Sequence, residues 1–264
     1  MTRFRSGLAV VSIAALALAG CAGGGDASPS ATTSPGPSSS SSPTSPPGGF
    51  DPDPAAATLG PAAPVALLKL GPTGLYLYDF GNNGVQQVDY TAGGAPGYQL
   101  TVDGDVSWDG TQVVFTSYAS DVVAGDTNGV TDIFLKNVSS GAVIQVSDGP
   151  VTEWDVGSDR PRISADGTYV VFTCHALGLV PGVMDTPQVY MYSVLSGEII
   201  RVSIDPESLA GYAYGPAVSA GGRYVAYASS AQGEFGDDNF LGGVYVLDTD
   251  TGVVEQASVS PDGT

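Results

Sequence analysis

One short stretch occurs three times in this chain of 264 residues. Residues 106–117 read VSWDGTQVVFTS, residues 163–174 read ISADGTYVVFTC, and residues 218–229 read VSAGGRYVAYAS. The copies recur at a nearly constant interval, as their starting positions at 106, 163 and 218 show. A nearly constant period of this length is typical of stacked or radial repeat folds, in which each repeat forms one small structural unit.

Each repeat has the sequence pattern of four short strands. In the second copy, an Asp-Gly turn at residues 166–167 lies between two apolar stretches, which is a strong hairpin signal. Two further strands follow at residues 188–193 and 198–203. The turn glycines before the fourth strands, Gly141, Gly197 and Gly252, keep the same interval. The whole unit therefore repeats, and four antiparallel strands in about 55 residues predict one blade of a β-propeller.

The composition agrees with an all-β fold, because 37 Gly and 19 Pro favour short strands and turns. Strand-like stretches at residues 65–70, 75–78 and 85–88 supply the last three strands of an earlier unit. We therefore expect about four blades. The ring is then either incomplete or closed by the C-terminal segment. A β-sandwich is the alternative, but it does not require such a period.

The pattern Ile-Ser-x-Asp-Gly-x-Tyr-Val-x-Phe of residues 163–172 resembles the WD40-like (PD40) blades of TolB-type propellers. The resemblance covers residues 65–264, with units at about 65–100, 101–157, 158–213 and 214–264. It implies a propeller domain that makes protein contacts in the bacterial cell envelope. This functional implication is an analogy at the level of the fold.

The N-terminus has the pattern of a secretory signal, with Arg3 and Arg5 before a short apolar stretch and small residues. Residues 18–21 (LAGC) resemble the lipobox of bacterial lipoproteins, which implies a signal peptide at residues 1–20 and lipidation of Cys21. An ordinary secretory signal is the alternative. Residues 21–64 are rich in Ser, Pro and Gly, so we expect a disordered linker that tethers the domain to an extracytoplasmic membrane surface.

The charge of the chain is strongly acidic, with 27 acidic and 8 basic residues and a formal net charge of −19. Removal of a signal peptide containing two arginines would change this to −21. Such a charge disfavours nucleic acid as a partner. It permits cation binding without demonstrating it.

The loop at residues 125–132 (GDTNGVTD) carries oxygen ligands at alternating positions. Asp126, Asn128 and Asp132, with a glycine between them, suit a hard cation such as calcium. The loop lacks the bidentate glutamate of an EF-hand. Because Asp and Asn also build turns by bonding to their own backbone, a turn without an ion is the alternative reading. No other cofactor is indicated.

None of the residues that could take part in catalysis supports a catalytic assignment. His175 is the only histidine, and Cys174 takes the place of Ser117 and Ser229 in the other copies. We expect His175 to be exposed or half-buried and Cys174 to be buried. The Asp-Gly pairs at Asp109 and Asp166 resemble the Asp-box of sialidases, which is a structural turn.

Acidic and aromatic residues are concentrated in the segments that lead into the repeats. We read these segments as loops. Paired carboxylates, such as those among Asp103, Asp105 and Asp159, could perform glycoside hydrolysis. Trp154, Tyr212 and Tyr214 are candidate binding anchors.

These features predict a membrane-anchored, extracytoplasmic lipoprotein whose propeller is a non-catalytic protein-interaction scaffold in the cell envelope. The partners would be the membrane, through the lipid, and an envelope protein. The alternative is an enzyme that acts on envelope glycans or peptides, or a glycan-binding propeller.

Overall fold

The part of the chain that the structure describes forms four antiparallel β-sheets. The computed structural model describes residues 66–71, 74–81, 83–91, 93–94, 101–149, 157–175, 179–180, 186–203, 211–229 and 243–258. Cys21, Trp154, the predicted signal peptide and the predicted linker lie outside these residues. Within them, no helix is long and apolar enough to cross a membrane.

The strands are hydrogen-bonded in chain order within every sheet. Sheet 1 contains β1 (Ala66–Gly71), β2 (Gly74–Asp79) and β3 (Gly84–Gln87). Sheet 2 contains β4 (Thr101–Val106), β5 (Gln112–Ser117), β6 (Asp132–Asn137) and β7 (Val143–Gln145). Sheet 3 contains β8 (Ser158–Ile163), β9 (Tyr169–Cys174), β10 (Gln188–Ser193) and β11 (Ile199–Arg201). Sheet 4 contains β12 (Ala213–Val218), β13 (Tyr224–Ser229), β14 (Gly243–Asp248) and β15 (Val253–Gln256).

The predicted fold class, an all-β propeller, is confirmed, and three of the four sheets in the described residues have four antiparallel strands. Sheet 1 has three strands among these residues, as the sequence predicts. The four sheets do not close a ring within the described part of the chain.

The repeated Ser-x-Asp-Gly stretch forms the turn between the first and second strands of a sheet. In sheet 3, Asp166 Oδ1 accepts hydrogen bonds from Ser164 Oγ at 2.6 Å and from the backbone N–H of Thr168 at 3.0 Å. The N–H of Tyr169 donates to Ser164 Oγ at 2.9 Å. The aspartate is therefore occupied by its own turn, which confirms the structural interpretation of this motif.

A second repeated contact joins the end of the last strand of each sheet to the strand before it. In all four sheets, a backbone N–H near the start of that preceding strand (β2, β6, β10 or β14) donates to a side chain that follows the last strand. The pairs are Leu75 to Asp89 Oδ1, Ile133 to Ser147 Oγ, Val189 to Ser203 Oγ and Val244 to Ser258 Oγ. We call Asp89, Ser147, Ser203 and Ser258 the closing residues. They satisfy a donor that would otherwise lack a partner.

The cores lie between consecutive sheets. One apolar cluster joins sheets 1 and 2, a second joins sheets 2 and 3, and a third joins sheets 3 and 4. Each of the last three sheets also contains one cross-strand aromatic pair with ring centroids 5.6–6.1 Å apart. These pairs are Phe115–Phe134, Phe172–Tyr190 and Tyr227–Tyr245. Such pairs add to the stabilisation that burial of apolar area provides.

The prediction that the segments leading into the repeats are loops is wrong for four of the residues named there, although Tyr212 does lie outside the strands. Asp103 and Asp105 lie on β4, Asp159 lies on β8, and Tyr214 lies on β12. Their polar, Gly- and Pro-containing sequences lack apolar alternation. The pairing with the following apolar strand makes them strands.

Sheets 2 and 3 are also joined through their backbones at Gly157. Gly157 forms a parallel bridge with Thr131, and the N–H of Ser158 donates to the Thr131 carbonyl at 2.7 Å. Gly157 has a φ of +83°, and a Cβ on it would collide with the Thr131 carbonyl oxygen. Only glycine permits this approach.

We predict that Gly157→Ala destabilises the domain much more than Gly141→Ala. Both glycines have left-handed φ values, +83° and +72°, but a Cβ on Gly141 would meet nothing within 4 Å. Gly141→Ala should lower the free energy of unfolding by roughly 1–2 kcal/mol through backbone strain alone. Gly157→Ala should lower it by about 3 kcal/mol or more, because the sheets must also separate. Denaturant unfolding of both variants measures the difference, and equal losses would contradict this role of Gly157.

Candidate functional site

The candidate calcium ligands and the described candidate binding anchors predicted from the sequence lie at different sheets. Asp126 and Asn128 lie in the connection between β5 and β6, and Asp132 is the first residue of β6. Tyr214 lies on β12 and Tyr212 lies just before it. Trp154, the third predicted anchor, is outside the described residues.

Asp132 is buried, with 1% of its surface exposed. Its Oδ1 accepts a hydrogen bond from Ser147 Oγ at 2.8 Å, while its Oδ2 is buried without a hydrogen-bond partner. Burial raises the pKa of Asp132 to about 6, against the lowering effects of Ser147, which donates to Oδ1, and of the nearby Asn128 amide. The negative charge of Asp126 raises this pKa further. The two carboxylates therefore lie close enough to repel each other.

Asp126 is buried in the same way, with 7% of its surface exposed. Burial raises its pKa, the backbone N–H of Asn128 lowers it, and the charge of Asp148 raises it. Asp126 Oδ1 has no hydrogen-bond partner. Asn128 Oδ1 accepts a hydrogen bond from the N–H of Val130 at 3.2 Å. The predicted turn is thus present in this loop, and calcium binding by its side chains stays a prediction.

Two residues near these carboxylates are not predicted from the sequence. Ser147, a closing residue, holds Asp132, and the amide of Gln145 is close enough to lower the pKa of Asp132. Gln145 Nε2 is itself buried and makes no regular hydrogen bond. Both residues lie well after Asp132 in the chain, so their proximity arises only from the pairing of β6 with β7. We call Asp126, Asn128, Asp132 and Gln145 the oxygen cluster.

The corresponding position of sheet 3 is occupied by a neutral residue. Gln188 begins β10 as Asp132 begins β6, and Ser203 Oγ donates to Gln188 Oε1 at 2.7 Å. Arg201 pairs with Tyr190 where Gln145 pairs with Phe134. Within the described residues, sheet 3 therefore lacks the carboxylate that sheet 2 has at this position. No group of three or more His, Cys, Asp or Glu side chains with metal-binding geometry occurs among the described residues.

The carboxylates of β4 are engaged in contacts with sheet 3. Asp103 Oδ2 pairs with Arg162 Nη1 at 3.0 Å. Asp105 Oδ2 accepts a hydrogen bond from the N–H of Ile163 at 3.1 Å, and burial raises its pKa. Asp159 Oδ1 is buried and has no hydrogen-bond partner. Of these three predicted acids, two serve the contact between sheets.

The aromatic residues before and on β12 form a surface with Arg160. Tyr212 and Tyr214 are 51% and 42% exposed, and the guanidinium of Arg160 lies 5.7 Å from the centroid of the Tyr214 ring. Arg160 has a φ of +53°, and both β8 and β12 contain a bulge at this level. Bulges redirect side chains at functional edges, and left-handed φ values at non-glycine residues are uncommon. We call Arg160, Tyr212 and Tyr214 the bulge patch.

A cavity of about 330 Å³ lies beside Tyr90, Val122, Lys136 and Val143. Burial lowers the pKa of Lys136, while the charge of Asp89 raises it. Its Nζ donates to the Val88 carbonyl at 2.7 Å and lies 5.3 Å from the Tyr90 ring centroid. This lysine therefore connects sheets 1 and 2.

Cys174 and His175 lie at the end of β9. Cys174 is 1% exposed, and His175 is half-buried with its backbone N–H donating to the Gly157 carbonyl at 2.9 Å. The expected burial of both residues is confirmed.

We predict that Asp132→Asn changes the pH dependence of stability in buffer containing a chelator. A carboxyl whose pKa rises from 3.8 to about 6 on folding binds its proton more tightly in the folded state. Its stabilising contribution is therefore full below pH 4 and is lost as the pH rises through about 6. After allowance for solvent screening, the variant should gain roughly 1–2 kcal/mol relative to wild type between pH 4 and pH 7. Denaturant unfolding at both pH values measures this gain, and a constant difference would contradict the shifted pKa.

Comparisons with known proteins find similar solved structures but do not assign the chain to a family. No protein-family model and no curated protein matches the chain. Similar solved structures include TolB from Acinetobacter baumannii, at 19% identity over 75% of this chain and 43% of that one, with a TM-score of 0.47. They also include oligogalacturonate lyase from Vibrio parahaemolyticus, at 13% identity over 75% of this chain and 50% of that one, with a TM-score of 0.49. The chain spans half or less of the length of these two proteins.

Proposed function

We propose that this protein is a membrane-anchored, extracytoplasmic lipoprotein whose propeller is a non-catalytic protein-interaction scaffold in the cell envelope. The observation that carries this proposal is the bulge patch, where Arg160, Tyr212 and Tyr214 are exposed together. The resemblance of the repeats to TolB-type blades supports the same function.

The chemistry of the bulge patch suits protein recognition. Tyrosine and arginine are enriched among the residues that dominate binding energy at protein interfaces. The Arg160–Tyr214 contact restricts both side chains before binding, which reduces the entropy lost when a partner orders them. The positive φ of Arg160 costs roughly 1–3 kcal/mol, and strain of this kind is concentrated at functional positions.

The charge around the bulge patch favours a partner with mixed polarity. Arg160 and Arg162 are two of only eight basic residues in a chain of net charge −19, and both lie on β8. Because Asp103 neutralises Arg162, Arg160 supplies the positive charge of the patch. A partner surface with a carboxylate or exposed carbonyl groups, set in apolar surroundings, would complement it.

The proposed membrane anchor depends on sequence features. The LAGC stretch ending at Cys21 supports lipidation, and the Ser/Pro/Gly-rich residues up to 64 support a flexible tether. A tethered domain has a high effective concentration toward partners at the same membrane. A scaffold of modest intrinsic affinity would therefore suffice at this location.

An enzyme or glycan-binding propeller is the second candidate, and Asp159 is the observation that favours it. Its buried Oδ1 has no hydrogen-bond partner and lies one residue before Arg160. Exposed tyrosines also pack against sugar rings. A carboxylate on β8, the strand whose Arg160 contacts Tyr214, is compatible with a saccharide ligand.

We predict that replacing both tyrosines of the bulge patch by alanine abolishes partner capture. The full-length lipoprotein, carrying a C-terminal tag, would be crosslinked lightly in its own envelope and purified in detergent. Capture of one reproducible envelope protein should fall at least tenfold in Tyr212→Ala/Tyr214→Ala, about 1.4 kcal/mol. The matched control is Phe80→Ala, an aromatic residue of similar exposure, 56%, in the turn after β2.

Thermal melts of all variants would establish that the tyrosine replacements leave the domain folded. Unchanged capture by the double variant would refute the bulge patch as the binding face. Retention or cleavage of envelope glycans, without any captured protein, would favour the second candidate.

A further inference from the structure

We propose that the oxygen cluster of sheet 2 binds one calcium ion, held by the side-chain oxygens of Asp126, Asn128, Asp132 and Gln145. The proposal goes beyond the proposed function and does not depend on it. It gives the predicted loop ligands a fourth partner from β7. It also gives the ion a place in the contact between sheets 2 and 3.

The first argument is the presence of buried carboxylate oxygens without partners. Asp126 and Asp132 are only 7% and 1% exposed, and each has one oxygen that accepts no hydrogen bond. Burial of an uncompensated carboxylate is strongly unfavourable in a protein interior. A cation between these oxygens would remove that penalty.

The second argument is the absence of a compensating side chain among the described residues. The ion pairs seen there join Arg162 to Asp103, and Arg223 to Asp248 and Asp250. Lys136, also on β6, is directed away toward Val88. Asp148 instead adds a negative charge near Asp126. Among the described residues, the carboxylates of the oxygen cluster therefore have no positively charged side chain to balance them.

The third argument concerns Gln145, whose Nε2 is buried without a regular hydrogen bond. The oxygen and nitrogen of an amide exchange places by a half-turn of the terminal torsion, so Gln145 can present its oxygen to the same point. In sheets 1 and 4 the residues at this position, Gln87 and Gln256, use Nε2 as a donor within their own sheets. Gln145 Nε2 lies near Asp132 but has no hydrogen-bond partner, so the amide can turn its oxygen toward an ion without losing a bond.

The ligand set selects calcium over other common metals. Carboxylate and amide oxygens suit a hard cation, and calcium tolerates irregular geometry and water ligands better than magnesium. Zinc prefers imidazole and thiolate, and the cluster contains neither. With two carboxylates, we expect a dissociation constant in the range of about 10⁻⁴–10⁻³ M, typical of extracellular calcium modules.

The position of the cluster gives the ion a structural effect. Thr131, which forms the backbone bridge with Gly157 of sheet 3, lies between Asn128 and Asp132 in the chain. An ion that fixes both flanking residues also fixes the carbonyl that accepts the N–H of Ser158. Calcium would therefore stabilise the contact between sheets as well as the loop.

The test compares thermal unfolding of the full chain in a chelator and in 10 mM CaCl₂. The melting temperature should rise by roughly 3–8 °C in calcium, and isothermal titration should show one site. Asp126→Asn and Asp132→Asn should each abolish most of the rise. Asp166→Asn is the control, because Asp166 belongs to a turn and should shift the melting temperature equally in both buffers.

Two substitutions of Gln145 should have opposite effects. Gln145→Glu adds a third carboxylate, so it should lower the melting temperature in chelator and enlarge the calcium-dependent rise. Gln145→Arg copies the residue of sheet 3, Arg201, and should remove the calcium dependence by supplying the positive charge itself.

The proposal is overturned if wild type shows neither a shift nor binding heat at 10 mM CaCl₂. It is also overturned if both Asp126→Asn and Asp132→Asn retain the full rise. An equal rise in 10 mM MgCl₂ would contradict calcium as the specific occupant. These outcomes concern sheet 2 alone, so they leave the test of the bulge patch unaffected.

Discussion

Burial of both faces of the sheets is the constraint on which the rest of the structure depends. On β5, Val113 and Phe115 belong to the core shared with sheet 1, while Val114 belongs to the core shared with sheet 3. A sheet of this kind cannot be stable alone, because one apolar face would remain in water. Each sheet therefore requires a neighbour, and the apolar strand that faces both sides must recur once per unit. This requirement explains why the repeat is conspicuous in the second strands.

Polar and charged side-chain contacts occur mainly outside the apolar cores between the sheets. The first strands and the connections at strand ends are where side chains face water or one another across sheets. Arg160 and Tyr214 meet between β8 and β12, and Asp103 meets Arg162 between β4 and β8. The same level contains the register shifts of these strands. Bulges are tolerated there because the strand is not compressed between two apolar cores.

The sequence predicts the apolar strands well because their pattern is set by burial. Strand β10 begins and ends where expected, at Gln188 and Ser193, whereas β8 begins in a segment that we read from the sequence as a loop. The latter contains Asp159, Arg160 and Pro161, and its strand conformation depends on pairing with β9. The local strand propensity of these residues does not reveal such pairing.

The residues of the candidate sites likewise differ in how far the sequence predicts them. Asp126, Asn128 and Asp132 are close in sequence, so their spacing is visible there. Gln145 joins them only through the β6–β7 register, and Arg160 joins Tyr214 only through packing of two sheets. Contacts between positions so far apart in the chain depend on the fold, and a single sequence does not show which pairs of residues the fold brings together.

The closing residues show how one scaffold position acquires different chemistry. In sheet 1 the closing residue is Asp89, and the strand before the last, β2, begins with Gly74, where a Cβ would lie 2.6 Å from Asp89 Oδ1. In sheets 2 and 3 the closing residue is a smaller serine, and there is room for Asp132 or Gln188. Steric exclusion thus permits a large side chain at only one of these two positions. A carboxylate at the first residue of the third strand depends on a serine that closes the sheet, and sheet 2 combines that arrangement with an acidic loop.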